Sequence, residues 1–309
     1  MDSLPQIRQT LEKIRARTPE PLRLAFRIHF GSLPASAAGA RQDVARYLAA
    51  LSNMYEPEDL MEFDEVPLKM EFASCYLPDH DEDAHFAHAE PGVIGVADGV
   101  GGCRGKGMDA AAFSRKIMEN ARAEVESCVP GTHICPCGLL ERSYLRAVAA
   151  RTPAASTAII LSLTGRFLKW AYVGDSGFAV FRRGKIIQRS QPQQNYFNCP
   201  YQLRSEGGNK ISDAAVGEVR VKAGDVVVVG SDGLFDNVFD SGLERIVQMG
   251  AAVKLPPDLL ANVIAEEAYV KARSSGDSPF SVSCREQTGT SCRGGKEDDI
   301  TVVVAYILE

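Results

Sequence analysis

Several signatures that would assign the chain early are missing from its 309 residues. There is no Cys-x-x-Cys, although eight cysteines are present. The closest pair, Cys135 and Cys137, has no second pair to complete a tetrahedral zinc site, so the cysteines read as reduced thiols of an intracellular protein. No apolar run approaches the roughly 20 residues that cross a bilayer, and Met1-Asp2-Ser3 opens no secretory signal, so no membrane span is expected. No Gly-x-x-x-x-Gly-Lys-Ser/Thr phosphate loop occurs: Arg293-Gly294-Gly295-Lys296 leads into an apolar run instead of a helix. No internal repeat is detectable. Positive charge is not in excess either. The formal net charge is −6 with a pI near 5.5, which argues against nucleic acid as a partner because phosphate-backbone affinity needs a clustered basic face.

What is present is an ordinary globular composition, 45% hydrophobic and 24% charged, long enough for one large or two small cores. The chain is organised around Val93-Ile94-Gly95-Val96-Ala97-Asp98-Gly99-Val100-Gly101-Gly102. An apolar run ending in one aspartate and a glycine cluster reads as a buried strand that delivers a carboxylate to a loop whose backbone comes close to a ligand. Asp-Gly after an apolar run is also a common hairpin turn. Recurrence weakens that plainer reading. Val226-Val227-Val228-Val229-Gly230-Ser231-Asp232-Gly233 repeats the pattern, Trp170 to Val173 runs into Gly174-Asp175-Ser176-Gly177, and Glu297-Asp298-Asp299 directly precedes Ile300 to Val304. Carboxylates brought together would repel by roughly 4 kcal/mol per pair at about 4 Å. Convergence therefore calls for cations, and an all-oxygen donor set suits Mg²⁺ or Mn²⁺.

Along the chain, residues 1–65 read as an N-terminal extension. An amphipathic helix to about residue 17 comes first, then a strand over 22–30, a Ser/Ala/Pro-rich linker and a second helix over 41–54. The main domain is expected over 66–309. Val66 to Leu77 is its first strand, and the stretch Asp79-His80-Asp81-Glu82-Asp83-Ala84-His85-Phe86 reads as a solvated loop. Asp109 is placed to cap a helix reaching about Cys128, and Gly138 to Ala150 gives a second helix. Hairpins follow around Thr164-Gly165 and Arg182-Arg183-Gly184, then an irregular segment over 191–213, a strand before Asp232, and helices over 243–249 and 257–272. Ser274 to Lys296 reads as a long loop. Hairpin-linked strands separated by paired helices imply an α+β class with antiparallel sheets.

Glu82-Asp83-Ala84, Ala97-Asp98-Gly99-Val100-Gly101-Gly102, Ser156-Thr157-Ala158, Gly174-Asp175-Ser176-Gly177-Phe178, Ser231-Asp232-Gly233-Leu234-Phe235-Asp236-Asn237 and Gly294 to Val302 stand in one order. That ordered set resembles the type 2C family of metal-dependent serine/threonine protein phosphatases, and Tyr196-Phe197-Asn198 with Tyr201-Gln202-Leu203 resembles its branch with mitochondrial and plant organelle members. The resemblance implies a four-layer α-β-β-α sandwich of two antiparallel sheets flanked by helices. It implies phosphoprotein substrates and hydrolysis by direct attack of hydroxide held between two Mn²⁺ or Mg²⁺ ions. Mapped onto this sequence, Asp98, Asp232 and Asp298 are the catalytic metal-binding carboxylates, the Gly99 carbonyl is a further ligand, Asp83 acts through metal-bound water, and Asp175 attends a weaker third ion. A monomer in an organelle, mitochondrion or plastid, or in the cytosol or nucleus is expected.

Three positions depart from that pattern. Asp299 stands where many relatives have asparagine. Val100 stands where many have a histidine acid, so water is the expected proton donor to the leaving alkoxide. No arginine precedes Glu82-Asp83 to grip a phosphate; only His80 is nearby, and Arg104 or Lys106 are candidate substitutes for which a plain solvated charge is the favoured reading. A non-catalytic phosphoprotein-binding module with the same fold stays open on that account.

Overall fold

The computed structural model describes residues 67–101, 109–129, 131–150 and 154–309. The elements expected within residues 1–65, together with Arg104 and Lys106, lie outside the described residues. Pro67–Glu309 forms one compact unit. It runs β1 (Lys69–Leu77), β2 (Asp83–His88), β3 (Val93–Asp98), α1 (Ala110–Glu126), α2 (Pro136–Ala149), β4 (Ala155–Ser156), β5 (Ala158–Thr164), β6 (Phe167–Val173), β7 (Gly177–Arg182) and β8 (Lys185–Arg189). Short strands β9 (Gln194–Tyr196), β10 (Cys199–Pro200) and β11 (Leu203–Arg204) follow, then β12 (Ala215–Arg220), β13 (Val226–Gly230), α3 (Asp232–Phe235), α4 (Asp240–Ala252), α5 (Pro257–Ala272), α6 (Pro279–Thr288) and β14 (Ile300–Leu308).

Two five-stranded sheets, ordered β1-β14-β13-β7-β8 and β12-β6-β5-β3-β2, are antiparallel throughout. Side-chain alternation shows how they stack. Val227 and Val229 of β13, Val303 and Ala305 of β14, and Ile159 and Leu161 of β5 meet in one core between the sheets. Their neighbours Val226, Val228, Val302 and Val304 point the other way, onto Leu243, Leu260 and Ile264 of α4 and α5. Ala158 and Ile160 likewise face Phe113, Ile117, Leu139 and Leu140 of α1 and α2. Strands buried on both faces have no polar side to show, which is why they read as unbroken apolar runs. The result is the four-layer α-β-β-α sandwich expected from the resemblance.

Helix α1 starts where the sequence places it: the Asp109 side chain accepts from the Ala111 N–H at 3.0 Å. Elsewhere the structure corrects the sequence reading. Asp83 to His88 is a strand, β2, and not part of a loop. Ala215–Arg220 forms edge strand β12, and the 191–213 segment holds three short strands. The 274–296 loop contains helix α6, opened by Pro279 and by a reciprocal Ser278–Ser281 cap at 3.1 and 2.9 Å. Cys284, within α6, and Cys292, beyond its end, are joined as a disulfide, so the all-thiol expectation fails for this pair.

Candidate active site

Strand β3 ends at Asp98 because the chain there must turn under two neighbours. The Asp98 carbonyl accepts from Thr157 N–H and from Ser156 Oγ, both at 2.9 Å. Gly99 N–H donates to the Glu82 carbonyl at 3.1 Å. A Cβ on Gly99 would run into the carbonyl oxygens of Glu82 and Ala110, so only glycine lets β3, the 79–82 turn and the start of α1 close on one another. Across the β2–β3 pair Asp83 is the register partner of Asp98. Its Oδ2 accepts from Thr301 Oγ1 at 2.7 Å, while its Oδ1 is buried without a partner.

Strand β13 delivers Asp232 into the first turn of α3, which places Asp236 one turn further on the same face. The loop before β14 brings Asp298. Lys296 lies among the three: its ammonium pairs with Asp232 at close contact and with Asp236 and Asp298 at 3.1 Å each. Burial pulls the Lys296 ammonium down, but Asp232, Asp236 and Asp298 outweigh that and hold it above the usual lysine range. Burial pushes the Asp98 carboxyl well above the usual carboxylate range, and Asp232, Asp83, Asp298 and Asp175 push it further. Asp83 and Asp298 are raised as well, each chiefly by burial. Asp175 and Asp236 are pushed up to about 7, again by burial first.

Asp299 does something different from its neighbour. Its Oδ1 accepts from the N–H groups of Asp79, His80 and Asp81 at 2.6, 2.7 and 3.0 Å, and its Oδ2 from that of Glu82 at 2.6 Å. Burial alone would raise this carboxyl, yet the four main-chain donors hold it below the usual range. Asp299 therefore fixes the turn that leads into Asp83. Asp298, the other member of the pair, faces the cleft.

Asp98, Gly99, Val100, Asp232, Lys296 and Asp298 line one cleft of about 390 Å³. Asp175 lines an adjoining cavity of about 360 Å³ that shares Asp232 and is walled by Phe197, Phe235, Phe239 and Phe280. Gln194 donates to Asp175 Oδ2 at 3.0 Å. All six positions singled out in the sequence thus gather around one acidic centre. Sequence reasoning missed Lys296, Asp236 and the main-chain role of Asp299. The only signal for the lysine was its place two residues before Asp298.

A divalent cation suits this donor set. Oδ1 of Asp83, Asp175 and Asp232 is buried and unpartnered, and the Asp83, Asp98 and Asp175 carboxyls are raised, first by burial and then by neighbouring carboxylates. Among the described residues no three acidic, histidine or cysteine side chains are drawn into a ready coordination geometry. The carboxylates are arranged around Lys296 instead.

The protein phosphatase 2C family pattern matches residues 30–259. A protein of Oryza sativa subsp. japonica that carries the name protein phosphatase 2C 24 is 52% identical over 318 residues, covering 100% of both chains. The chain belongs to the protein phosphatase 2C family. The crystal structure of the photosystem II phosphatase PBCP is similar with a TM-score of 0.68 and 34% identity, over 77% of this chain and 98% of that one. The catalytic domain of the serine threonine protein phosphatase PstP, solved with 2 manganese ions, shares the fold at a TM-score of 0.55 and 20% identity, over 78% of this chain and 100% of that one. As a protein phosphatase 2C, the chain is a metal-dependent serine/threonine protein phosphatase acting on phosphoproteins, with Mn²⁺ or Mg²⁺ as cofactor. No helix among the described residues is long and apolar enough to cross a membrane.

Proposed function

We propose that Asp98, Asp232 and Asp298 are the catalytic carboxylates of this phosphatase and that, with the Gly99 carbonyl, they hold two divalent ions. Asp83 acts from the outer sphere, and Asp175 attends a weaker third position. The observation that carries this reading is the convergence of Asp98, Gly99, Asp232 and Asp298 on one cleft, with Oδ1 of Asp83, Asp175 and Asp232 buried and unpartnered. Bound there, Mn²⁺ or Mg²⁺ would supply Lewis acidity that polarises water and neutralises phosphoryl oxygens.

The chain's own residues set the geometry. Thr301 orients Asp83, Asn237 clamps the loop ahead of Asp298, and Asp299 holds the 79–82 turn. Val100 lines the cleft beside Asp98 and has no proton to give; in this reading water protonates the departing serine or threonine oxygen, although His80 lines the same cleft. Release of phosphate from a phosphoserine peptide, with Mn²⁺ and with EDTA, tests the whole reading. Metal-dependent turnover is expected, and metal-independent binding without turnover would favour a scaffold role instead.

Three finer points belong to the same proposal. Residues 1–65 are an extension outside the catalytic domain 66–309, so deletion of residues 1–17 leaves activity essentially unchanged. Loss of activity in a soluble truncated protein would contradict this. The chain acts as a monomer; light scattering checks it. Its compartment is an organelle, supported by the 34% identity to a phosphatase of photosystem II, a plastid assembly. A fluorescent fusion in leaf cells tests that, and a purely cytosolic signal would exclude it.

A further inference from the structure

Lys296 is not a surface lysine that happens to bend inward. Its main chain is held from both sides by one residue: Asn237 Nδ2 donates to the Lys296 carbonyl at 2.8 Å, and Lys296 N–H donates to Asn237 Oδ1 at 2.9 Å. Asn237 itself is tied to α3, since the same Nδ2 donates to the Gly233 carbonyl at 2.9 Å. The preceding residue has to be glycine, because a Cβ on Gly295 would collide with the Lys271 carbonyl, Ala272 and Asn237. The arm is therefore placed before its side chain makes any contact. From it the ammonium reaches Asp232, Asp236 and Asp298 together, with the Phe280 ring 5.7 Å away, and the side chain is only 18% exposed.

Two of those three carboxylates are the ones proposed to hold divalent ions. An ammonium and a dication cannot both sit at one pair of oxygens without strong repulsion, which at about 4 Å amounts to several kcal/mol even at an intermediate dielectric. We propose that Lys296 is a built-in counter-cation of the acidic centre, holding Asp232, Asp236 and Asp298 together without metal and leaving Asp232 and Asp298 when a divalent ion binds. Lys296 then sets the metal affinity of the site. Displacing it counts against every ion bound, so the site fills at a higher metal concentration than its carboxylates alone would allow. Asp236 is where the ammonium can remain after displacement, since that carboxylate is outside the proposed ligand set.

This inference rests on the metal reading of Asp232 and Asp298, and its test separates the two. Mn²⁺ binding to the full chain is measured by calorimetry and by electron paramagnetic resonance for wild type, Lys296→Met, Lys296→Gln and Lys296→Arg. Loss of a charged hydrogen-bonding partner of ~1.5–3 kcal/mol corresponds to Mn²⁺ binding about 10- to 100-fold tighter in Lys296→Met and Lys296→Gln, with Lys296→Arg close to wild type. In EDTA the two neutral variants melt below wild type, and Mn²⁺ restores them. Mn²⁺ affinity unchanged or weakened in both neutral variants would overturn the role of Lys296. Failure of wild type to bind Mn²⁺ would overturn the metal reading and the inference with it. A second readout needs no variant in the sample under study. The Lys296 side-chain methylene resonances, assigned by their absence from Lys296→Arg, shift as Mg²⁺ saturates the wild-type protein. Their constancy through saturation would overturn the proposal even if the neutral variants failed to fold.

Discussion

Asp83 and Asp98 are direct register partners across the β2–β3 pair, a buried and a half-buried carboxylate placed opposite one another where like charges are ordinarily avoided. Such a pairing is stable only if something offsets the charge. Removing one member should therefore affect stability and chemistry in opposite directions.

Asp98→Ala and Asp232→Ala each remove a proposed metal ligand while relieving repulsion. Altering an outer-sphere partner alone typically costs ~10–100-fold in affinity or activity, so loss of a ligand should exceed ~100-fold in kcat/KM at subsaturating Mn²⁺. The Asp98→Ala protein in EDTA should melt no lower than wild type. Rates near wild type in either variant would remove it from the ligand set.

Asp299→Ala leaves four main-chain donors of the 79–82 turn without their acceptor, and should cost about 3 kcal/mol or more by urea denaturation. Asp299→Asn keeps one oxygen and should fall between. The folded carboxyl is held below its ordinary 3.8. Its stabilisation is thus complete above about pH 4 and disappears as pH falls through the lower folded value. The difference between wild type and Asp299→Asn should be flat from pH 5 upward and shrink below pH 4.

Asp83, Asp98, Asp175, Asp236 and Asp298 have the opposite sign. Asp175 and Asp236 titrate at about 7 in the fold against 3.8 ordinarily. Between those values the folded state holds protons that the unfolded chain has released, so metal-free stability declines as pH rises from about 4 to about 7. In EDTA the melting temperature should be higher at pH 5 than at pH 7.5 by several degrees, given ~2–4 °C per kcal/mol at this size. Mn²⁺ should flatten the dependence. A melting temperature that climbs from pH 5 to 7.5 in EDTA would contradict the raised values.

Val100→His places an acid beside Asp98 on a main chain already fixed by the Val100 N–H bond to the Ala155 carbonyl at 2.9 Å. A positioned acid contributes roughly 10²–10⁴-fold when the leaving group needs a proton. A serine alkoxide needs one and p-nitrophenolate hardly does. The variant should raise the rate on a phosphoserine peptide more than on p-nitrophenyl phosphate, at saturating Mn²⁺ where chemistry limits turnover. Equal effects would show that protonation there is not limiting.

The strand ends carrying Asp98, Asp232 and Asp298 were legible because apolar runs buried on both faces stop abruptly at a charge. Strand β2 was not, since Asp83-Ala84-His85-Phe86-Ala87-His88 places only Phe86 fully in the core and surrounds it with groups typical of a wet loop. Helix α6 was hidden by its serines, although Ser278, Pro279 and Ser281 together form a start signal. The Lys296 arrangement could not be read locally at all. Its anchor, Asn237, is 59 residues away, and nothing in Gly-Gly-Lys-Glu-Asp-Asp tells a lysine that points outward from one that points in. The Cys284–Cys292 bond was missed because a spacing of eight residues carries no signature without the α6 turn that brings the ends together.

Strand β14 lies between β1 and β13, has helices on one face and the second sheet on the other, and begins immediately after Asp298 and Asp299. Its amides are those released only when the whole molecule opens, so Val302 to Val304 should be among the slowest to exchange with deuterium. Cargo held at its entry is then anchored to the least yielding part of the protein. Ions can enter and leave, and phosphoproteins can come and go, without any transient melting of the scaffold that holds the carboxylates in place.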